Sequence, residues 1–184
     1  MANCKVQYGI NNVCGDLLQS SGIDKDFYVG YVSDLSTRIS LTQTGAIAAL
    51  AFSAYAGLYK FEAQKFSHVA SYDLAKGAGG TISFVHRAAV KMLNLSTQDD
   101  VEVQRLTQSA DAFIVFQDNN EDFFIYGPSK GLSSVAGPLR TSGQAQGEDI
   151  STTVTLEGSE KVLPLRFDGG SVTATLALLD GYVV

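Results

Sequence analysis

Apolar and polar residues alternate with a period of two through most of the chain. Between Thr81 and Leu93, Ile82, Phe84, His86, Ala88, Val90 and Met92 share one face, while Thr81, Ser83, Arg87 and Lys91 share the other. That pattern predicts a strand buried on one side. At about 3.3 Å per residue it would be roughly 40 Å long, well above the usual strand length. Shorter runs of the same kind predict strands at Phe27 to Val32, Leu58 to Ala63 and Phe66 to Tyr72. Asp111 to Gln117 and Asp122 to Tyr126 flank the cluster Asp118-Asn119-Asn120-Glu121, which predicts a hairpin because Asn and Asp tolerate turn dihedrals.

The last third of the chain repeats the pattern. Ile150 to Leu156 places Ile150, Val154 and Leu156 inward and Ser151, Thr153 and Thr155 outward. Val162 to Phe167 and Ser171 to Leu179 read as two further strands, after turns at Glu157 to Glu160 and Asp168 to Gly170. Links this short predict an antiparallel meander. Pro164 cannot donate a ladder hydrogen bond, which makes the middle strand an edge or a bulged one.

One segment breaks the alternation. Ser96-Thr97-Gln98-Asp99 is a capping-box-like helix start, and Asp99, Asp100 and Glu102 suit the positive end of a helix dipole. Val103, Leu106 and Ala110 form its apolar stripe, and the helix should end near Ser109. The fold class is therefore mainly β, an antiparallel β-sandwich or barrel with one flanking helix at about 96–109. The full span 1–184 reads as a single domain.

Composition adds a hint of association. The hydrophobic fraction is an ordinary 45%, but charged residues make up only 17%, below the roughly 25% of a typical soluble domain. Some apolar surface is expected to be covered by other subunits. Ile39 to Tyr59 has no charge at all, yet it is rich in Ala, Ser, Thr and Gly, so a subunit-facing segment is expected rather than a membrane span. Ile47, Leu50 and Phe52 are its candidate interface residues. The net charge of −6 argues against coating nucleic acid. Two cysteines, Cys4 and Cys14, make no disulfide framework, and no apolar leader is visible at the N-terminus, so synthesis in a reducing cytoplasm is expected.

Candidate chemistry is sparse. Lys76-Gly77-Ala78-Gly79-Gly80 has Ile82 where a dinucleotide fingerprint needs its third glycine, and a strand follows where a helix is required. Gly143-Gln144-Ala145-Gln146-Gly147 lacks the Lys-Ser/Thr of a phosphate loop. His86, on an apolar strand face, reads as a satisfied interior histidine, and His68 lies in another alternating strand. Cys4, Cys14 and the histidines match no zinc spacing. The acid pairs Asp99/Asp100, Glu121/Asp122 and Glu148/Asp149 fall on caps and turns, where carboxylates are solvated. Asn94-Leu95-Ser96 is a glycosylation sequon read as accidental. No catalytic, cofactor-binding or metal-binding residue is assigned, and an enzyme is not expected.

The order of the local patterns carries a resemblance. Cys4 and Cys14 precede Gly22-Ile23 and the strand at Phe27. Then come YKFEAQKFSHVASY, a Gly-rich turn, ISFVHRAAVKML and the helix, followed by IVFQDNNEDFFIYGPSKGL and TSGQAQGEDISTTVTLEGSE. This order resembles the tail-tube-like structural proteins of tailed bacteriophages, particularly phages of gut Bacteroidetes. That family's "S/T-G … D … T-x-T-x-x-G-x-E" segment is matched by Ser142-Gly143, Asp149, Thr153, Thr155, Gly158 and Glu160. The resemblance covers almost the whole chain. Its departures are Asn119-Asn120 where the family often carries Asn-Gly, and the missing glycine behind Asp149.

The resemblance implies a structural virion protein of a phage tail or neck, made in the host cytoplasm. It would form a ring with itself, a hexamer or alternatively a dodecamer, and contact neighbouring tail, neck or hub proteins. Genomic DNA would pass through the lumen during ejection without specific binding, and no membrane is involved. An acidic lumen would repel phosphates. The competing class is a β-sandwich carbohydrate-binding or adhesin module. Such a module favours exposed aromatic residues in loops, whereas this chain has no Trp and places most of its Tyr and Phe in predicted strands.

Overall fold

A computed structural model describes residues 22–37, 39, 46–63, 67–93, 96–137, 140–141 and 150–184. The alternating segments form β1 (Ile23–Tyr31), β2 (Tyr59–Glu62), β3 (Val69–Lys76), β4 (Ile82–Leu93), β5 (Ala112–Asp118) and β6 (Phe123–Tyr126). Further along are β7 (Ser133–Ser134), β8 (Arg140–Thr141), β9 (Ser151–Glu160) and β10 (Leu165–Phe167). Two helices, α1 (Thr97–Gln108) and α2 (Val172–Gly181), complete the elements. The strands make two antiparallel sheets. The first has the order β10-β6-β5-β1-β2 and the second β3-β4-β9-β7, with β8 also paired to β9. The protein is mainly β with a flanking helix, as the alternation predicts.

The first core lies between the sheets. Phe27, Val29, Ile114 and Phe116 meet Ala88, Val90, Met92, Val154 and Leu156 there, and α1 contributes Val103 and Leu106. The capping box forms as predicted. Ser96 Oγ accepts the Asp99 N–H at 3.3 Å, and the Asp99 carboxylate accepts the Ser96 N–H at 2.8 Å. Ala110 lies beyond the end of the helix and is exposed, so the stripe stops at Leu106.

A second core covers the opposite face of the first sheet. Tyr28, Phe113, Val115, Phe123 and Ile125 pack there against Val32, Leu35, Ile39, Ile47, Leu50, Leu58 and Leu179 of α2. Apolar residues on both faces explain why β5 is buried continuously from Ala112 to Phe116, with no in–out alternation.

This arrangement corrects the interface assignment. Ile47 and Leu50 are buried within their own chain, where Ile47 N–H donates to the Arg166 carbonyl at 2.8 Å. Phe52 is partly buried, its ring 5.4 Å from that of Tyr182. The described part of the uncharged segment covers the second core, and its low charge follows from that position.

Two further expectations change. Ser171 to Leu179 is helical rather than extended. Val172, Thr175, Leu176 and Leu179 recur at helical spacing on the buried side, while Leu178 is exposed. Ser171 Oγ caps the helix by accepting the Ala174 N–H at 3.2 Å. Tyr28 Oη then donates to Asp180 Oδ1 at 2.8 Å, with Lys60 Nζ at 3.2 Å from the same oxygen, which ties the helix to the sheet.

The expected turn Glu157 to Glu160 is the last part of β9, paired with β4 from Phe84↔Glu160 to Leu93↔Ser151. Because β9 and β10 belong to different sheets, no C-terminal meander forms. Ser151 is buried and Ile150 exposed, the reverse of the assignment at that end. β10 does lie at a sheet edge, directly after Pro164, as predicted.

Candidate functional site

Two polar features stand out at the end of the sandwich where β4 meets the turn after β6. The first is closed. His86 is fully buried, its Nδ1 accepts the Gly127 N–H at 3.1 Å, and its Nε2 lies 2.9 Å from the Val162 carbonyl oxygen. A ring that accepts at Nδ1 and donates at Nε2 is neutral, and burial pushes its pKa below the ordinary value. His86 is the satisfied interior histidine that the sequence predicts.

Beside it, the fully buried Glu160 accepts the Ser129 N–H at 3.0 Å, the Lys130 N–H at 2.8 Å and the Ser129 hydroxyl. A buried carboxylate needs such donors, since leaving it unpaired would be costly. Gly158 permits the close approach, because a Cβ there would lie 2.4 Å from the Gly131 carbonyl oxygen. Gly131 itself has φ +81. Together these groups clamp the segment 127–131 onto β4 and β9. The arrangement is structural, because every donor and acceptor named is spent within the chain.

The second feature is open. A hollow of about 570 Å³ is bounded by Gly22, Ile23, His68, Phe116, Phe124 and Tyr126, with Asp118 and Asn120 at the β5–β6 turn. His68 is buried, with its ring 5.6 Å from Phe27 and 6.3 Å from Phe116. Neither ring nitrogen makes a hydrogen bond. The nearby Lys25 carbonyl already accepts the Ala63 N–H at 3.0 Å. Burial holds the His68 pKa below its ordinary value. It also pushes the Tyr126 hydroxyl up to about 12, helped by Tyr72 and Asp118.

The hollow continues onto an overhang. In the β3–β4 ladder Tyr72 faces His86, Leu74 faces Phe84 and Lys76 faces Ile82, so these residues extend the face that builds the first core. Past His86 that face is closed on the β9 side, where Glu160, paired with Phe84, is fully buried under Ser129 and Lys130, and it opens only towards β3 and the start of β4. Tyr72, Leu74 and Ile82 are 51%, 55% and 58% exposed. A smaller depression of about 250 Å³ joins Tyr72, Phe124 and Tyr126 to Leu163 and Pro164. Among the described residues β3 is the terminal strand of its sheet, and no described strand pairs with its outer backbone groups.

The opposite face of the second sheet carries Ser71, Asp73, Ser83, Arg87, Lys91, Thr153, Thr155, Glu157 and Ser159, interspersed with Val69, Ala75, Val85 and Ala89. It mixes polar and small apolar side chains. Arg87 and Glu157 pair across the ladder at 2.6 Å, leaving little net charge at its centre.

Other sequence candidates bear less on function. Gly77–Gly80 forms the β3–β4 turn, as expected, with Gly77 N–H donating to the Thr81 carbonyl at 2.8 Å. The Asp118–Glu121 hairpin turn also forms, with Glu121 at φ +68. Asp99 and Asp100 serve the α1 terminus, Asp100 pairing with Arg140 at 3.0 Å. Cys4, Cys14, Asn94, Gly143, Gly147, Glu148 and Asp149 lie outside the described residues. Among the described residues no group of three or more His, Cys, Asp or Glu is placed to hold a metal, and no helix is long and apolar enough to cross a membrane. The overhang was not anticipated. Its sequence signal was the length of the alternating run from Thr81 to Leu93, which exceeds what one sandwich layer can cover.

Site and fold together define a two-sheet, mainly β protein with an open, apolar end. In comparisons with known proteins, the chain matches no family model, no curated protein and no solved structure.

Proposed function

We propose that the chain is a self-assembling structural protein, a ring or tube layer of a bacteriophage tail or neck around a DNA-conducting lumen. The observation that carries this reading is the overhang: at Tyr72, Leu74 and Ile82 the sheet face lies exposed beyond the first core, and among the described residues the adjoining β3 has no partner on its outer side. Apolar surface of this kind marks an interaction site. An adjoining strand edge suits addition of a neighbour's strand or loop.

The outer face of the second sheet, where hydroxyl and paired charged side chains mix with small apolar ones, supports the lumen assignment. Its small hydroxyl side chains and paired charges offer phosphates no cationic track, and the net charge of −6 disfavours retention of DNA. A six-fold ring is the expected closure, with twelve-fold as the alternative, and neighbouring tail, neck or hub proteins would contact its two rims. Negative-stain microscopy of the purified protein tests the reading. Rings or tubes with a central channel are expected, and a uniform population of monomers at high concentration would overturn it.

One observation favours a second reading, a carbohydrate-binding or adhesin module. The 570 Å³ hollow sets the partly exposed Phe124 beside Asp118 and Asn120, groups able to stack on a sugar ring and bond its hydroxyls, over a floor formed by the buried Phe116 and Tyr126. Titration with a panel of soluble oligosaccharides, followed by tyrosine fluorescence, distinguishes the two.

A further inference from the structure

The turn Ser53–Ala56 holds a side chain that no contact among the described residues explains. Tyr55 is fully exposed and has a left-handed backbone, φ +64. The turn closes through the Ala56 N–H, which donates to the Ser53 carbonyl at 3.1 Å. Tyr55 therefore occupies the third position of the turn, where a positive φ favours Gly or Asn. A bulky residue is unusual there. The exposed ring makes no packing contact with the described residues that its removal would lose.

Its location in the fold matters as much as its exposure. Tyr59, just after the turn, pairs with Val29 towards the C-terminal end of β1. The hollow walled by Phe116, Phe124 and Tyr126 sits at the other end of the same strand, where Ile23 pairs with Asp118. Knob and hollow are thus at opposite ends of the first sheet, on the order of 25 Å apart by strand rise. The ring cannot fill its own chain's hollow.

We propose that Tyr55 of one copy inserts into the hollow at Phe116, Phe124 and Tyr126 of the next copy, making a head-to-tail contact. This deepens the self-assembly reading and rests on it. A ring buried among aromatics gains both area and edge-to-face contacts, and rim groups such as Asp118 can accept from its hydroxyl.

Further exposed apolar residues lie at both ends. A stable interface takes about 800 Å² from each partner, and one Tyr supplies on the order of 200 Å². Around the knob, Tyr59, Val183 and Val184 are also exposed, with Leu58 bridged to Val183 and Val184 N–H donating to the Leu58 carbonyl at 3.2 Å. Around the hollow lie Tyr72, Leu74, Ile82 and Leu163. The knob turn itself, Ser53 to Gly57, bears no charge, so its insertion buries no unpaired ion beside Asp118. A contact between two different patches propagates into a closed ring or an open filament.

Sedimentation velocity on the full chain tests the proposal with three variants. Tyr55→Gly removes the knob and suits the left-handed backbone, so the monomer should keep its circular dichroism spectrum and melt no earlier while associating roughly thirtyfold more weakly, the loss of one hot-spot side chain. Tyr55→Phe should associate as the parent does, within about threefold. Asn120→Trp, an exposed position on the hollow's rim, should block the hollow and weaken association as Tyr55→Gly does. Mixing Tyr55→Gly with Asn120→Trp restores one intact contact and should give dimers and nothing larger. If the parent chain assembles and Tyr55→Gly or Asn120→Trp assembles equally well, the knob contact is wrong while self-assembly stands. If the parent chain stays monomeric at every concentration, both fall.

Discussion

The two histidines make an instructive pair, because both are buried and neutral and yet their surroundings differ in kind. His86 spends both ring nitrogens on backbone groups of its own chain, next to a glutamate that accepts three hydrogen bonds. His68 spends neither, and it forms part of the wall of an open hollow. The first neighbourhood is finished within the monomer. The second has apolar walls and, beside it, the terminal strand β3 and the exposed Tyr72, and it is where contacts among the described residues thin out. A fully satisfied polar cluster rigidifies the part of the fold it joins, whereas an uncovered apolar face waits for something from outside.

The strongest way to break the closed region is Glu160→Ala. It strands the Ser129 and Lys130 N–H groups in the interior, and a loss of about 3 kcal/mol is expected in a urea denaturation series. His86→Phe should come next, at about 2 kcal/mol, because the ring shape survives while the Gly127 N–H and the Val162 carbonyl lose their partner.

Acid should then separate the folded protein from the unfolded one through both histidines. Their folded pKa values lie below the ordinary 6.5, so the unfolded chain binds protons first as the pH falls. Stability is therefore complete above about pH 6.5 and declines as the pH drops from there through the folded values. Melting temperatures from pH 8 to pH 5 measure this, and His86→Phe should remove part of the slope.

The smallest effect is expected at the open region. His68→Phe replaces a ring with two unpartnered nitrogens between Phe27 and Phe116, and it should leave stability within about 1 kcal/mol of the parent or raise it. A loss as large as that of His86→Phe would show that the contrast between the two sites is false.

Much of this contrast was legible from sequence at the level of strands and little of it at the level of sites. The alternation in β4 and the Asn-rich turn between β5 and β6 are local signals, and both elements formed where they predict. Val172 to Leu179 fits a period of two and a helical period alike. Only the Ser171 cap and the burial of Leu179 against the second core decide between them. Glu157 to Glu160 looks like a turn because Gly158 resembles punctuation. That glycine instead admits the Gly131 carbonyl, a contact that no local pattern encodes.

The uncharged segment around Ile47 and Leu50 predicts a subunit-facing surface from sequence, because apolar, uncharged sequence is the same for a subunit contact and for a second core. Which face a neighbour covers depends on the pairing of β1, β5 and β6, which is long-range. Tyr55 gave no signal at all, since its meaning lies in a backbone angle.

Hydrogen–deuterium exchange on assembled and dissociated protein tests the central claim most directly. The account predicts that assembly slows exchange at Val69–Lys76 and at the Asn119–Asp122 turn, while Gly127–Gly131, clamped within the monomer, is equally protected in both states. Unchanged exchange along β3 in a protein that has assembled would contradict it.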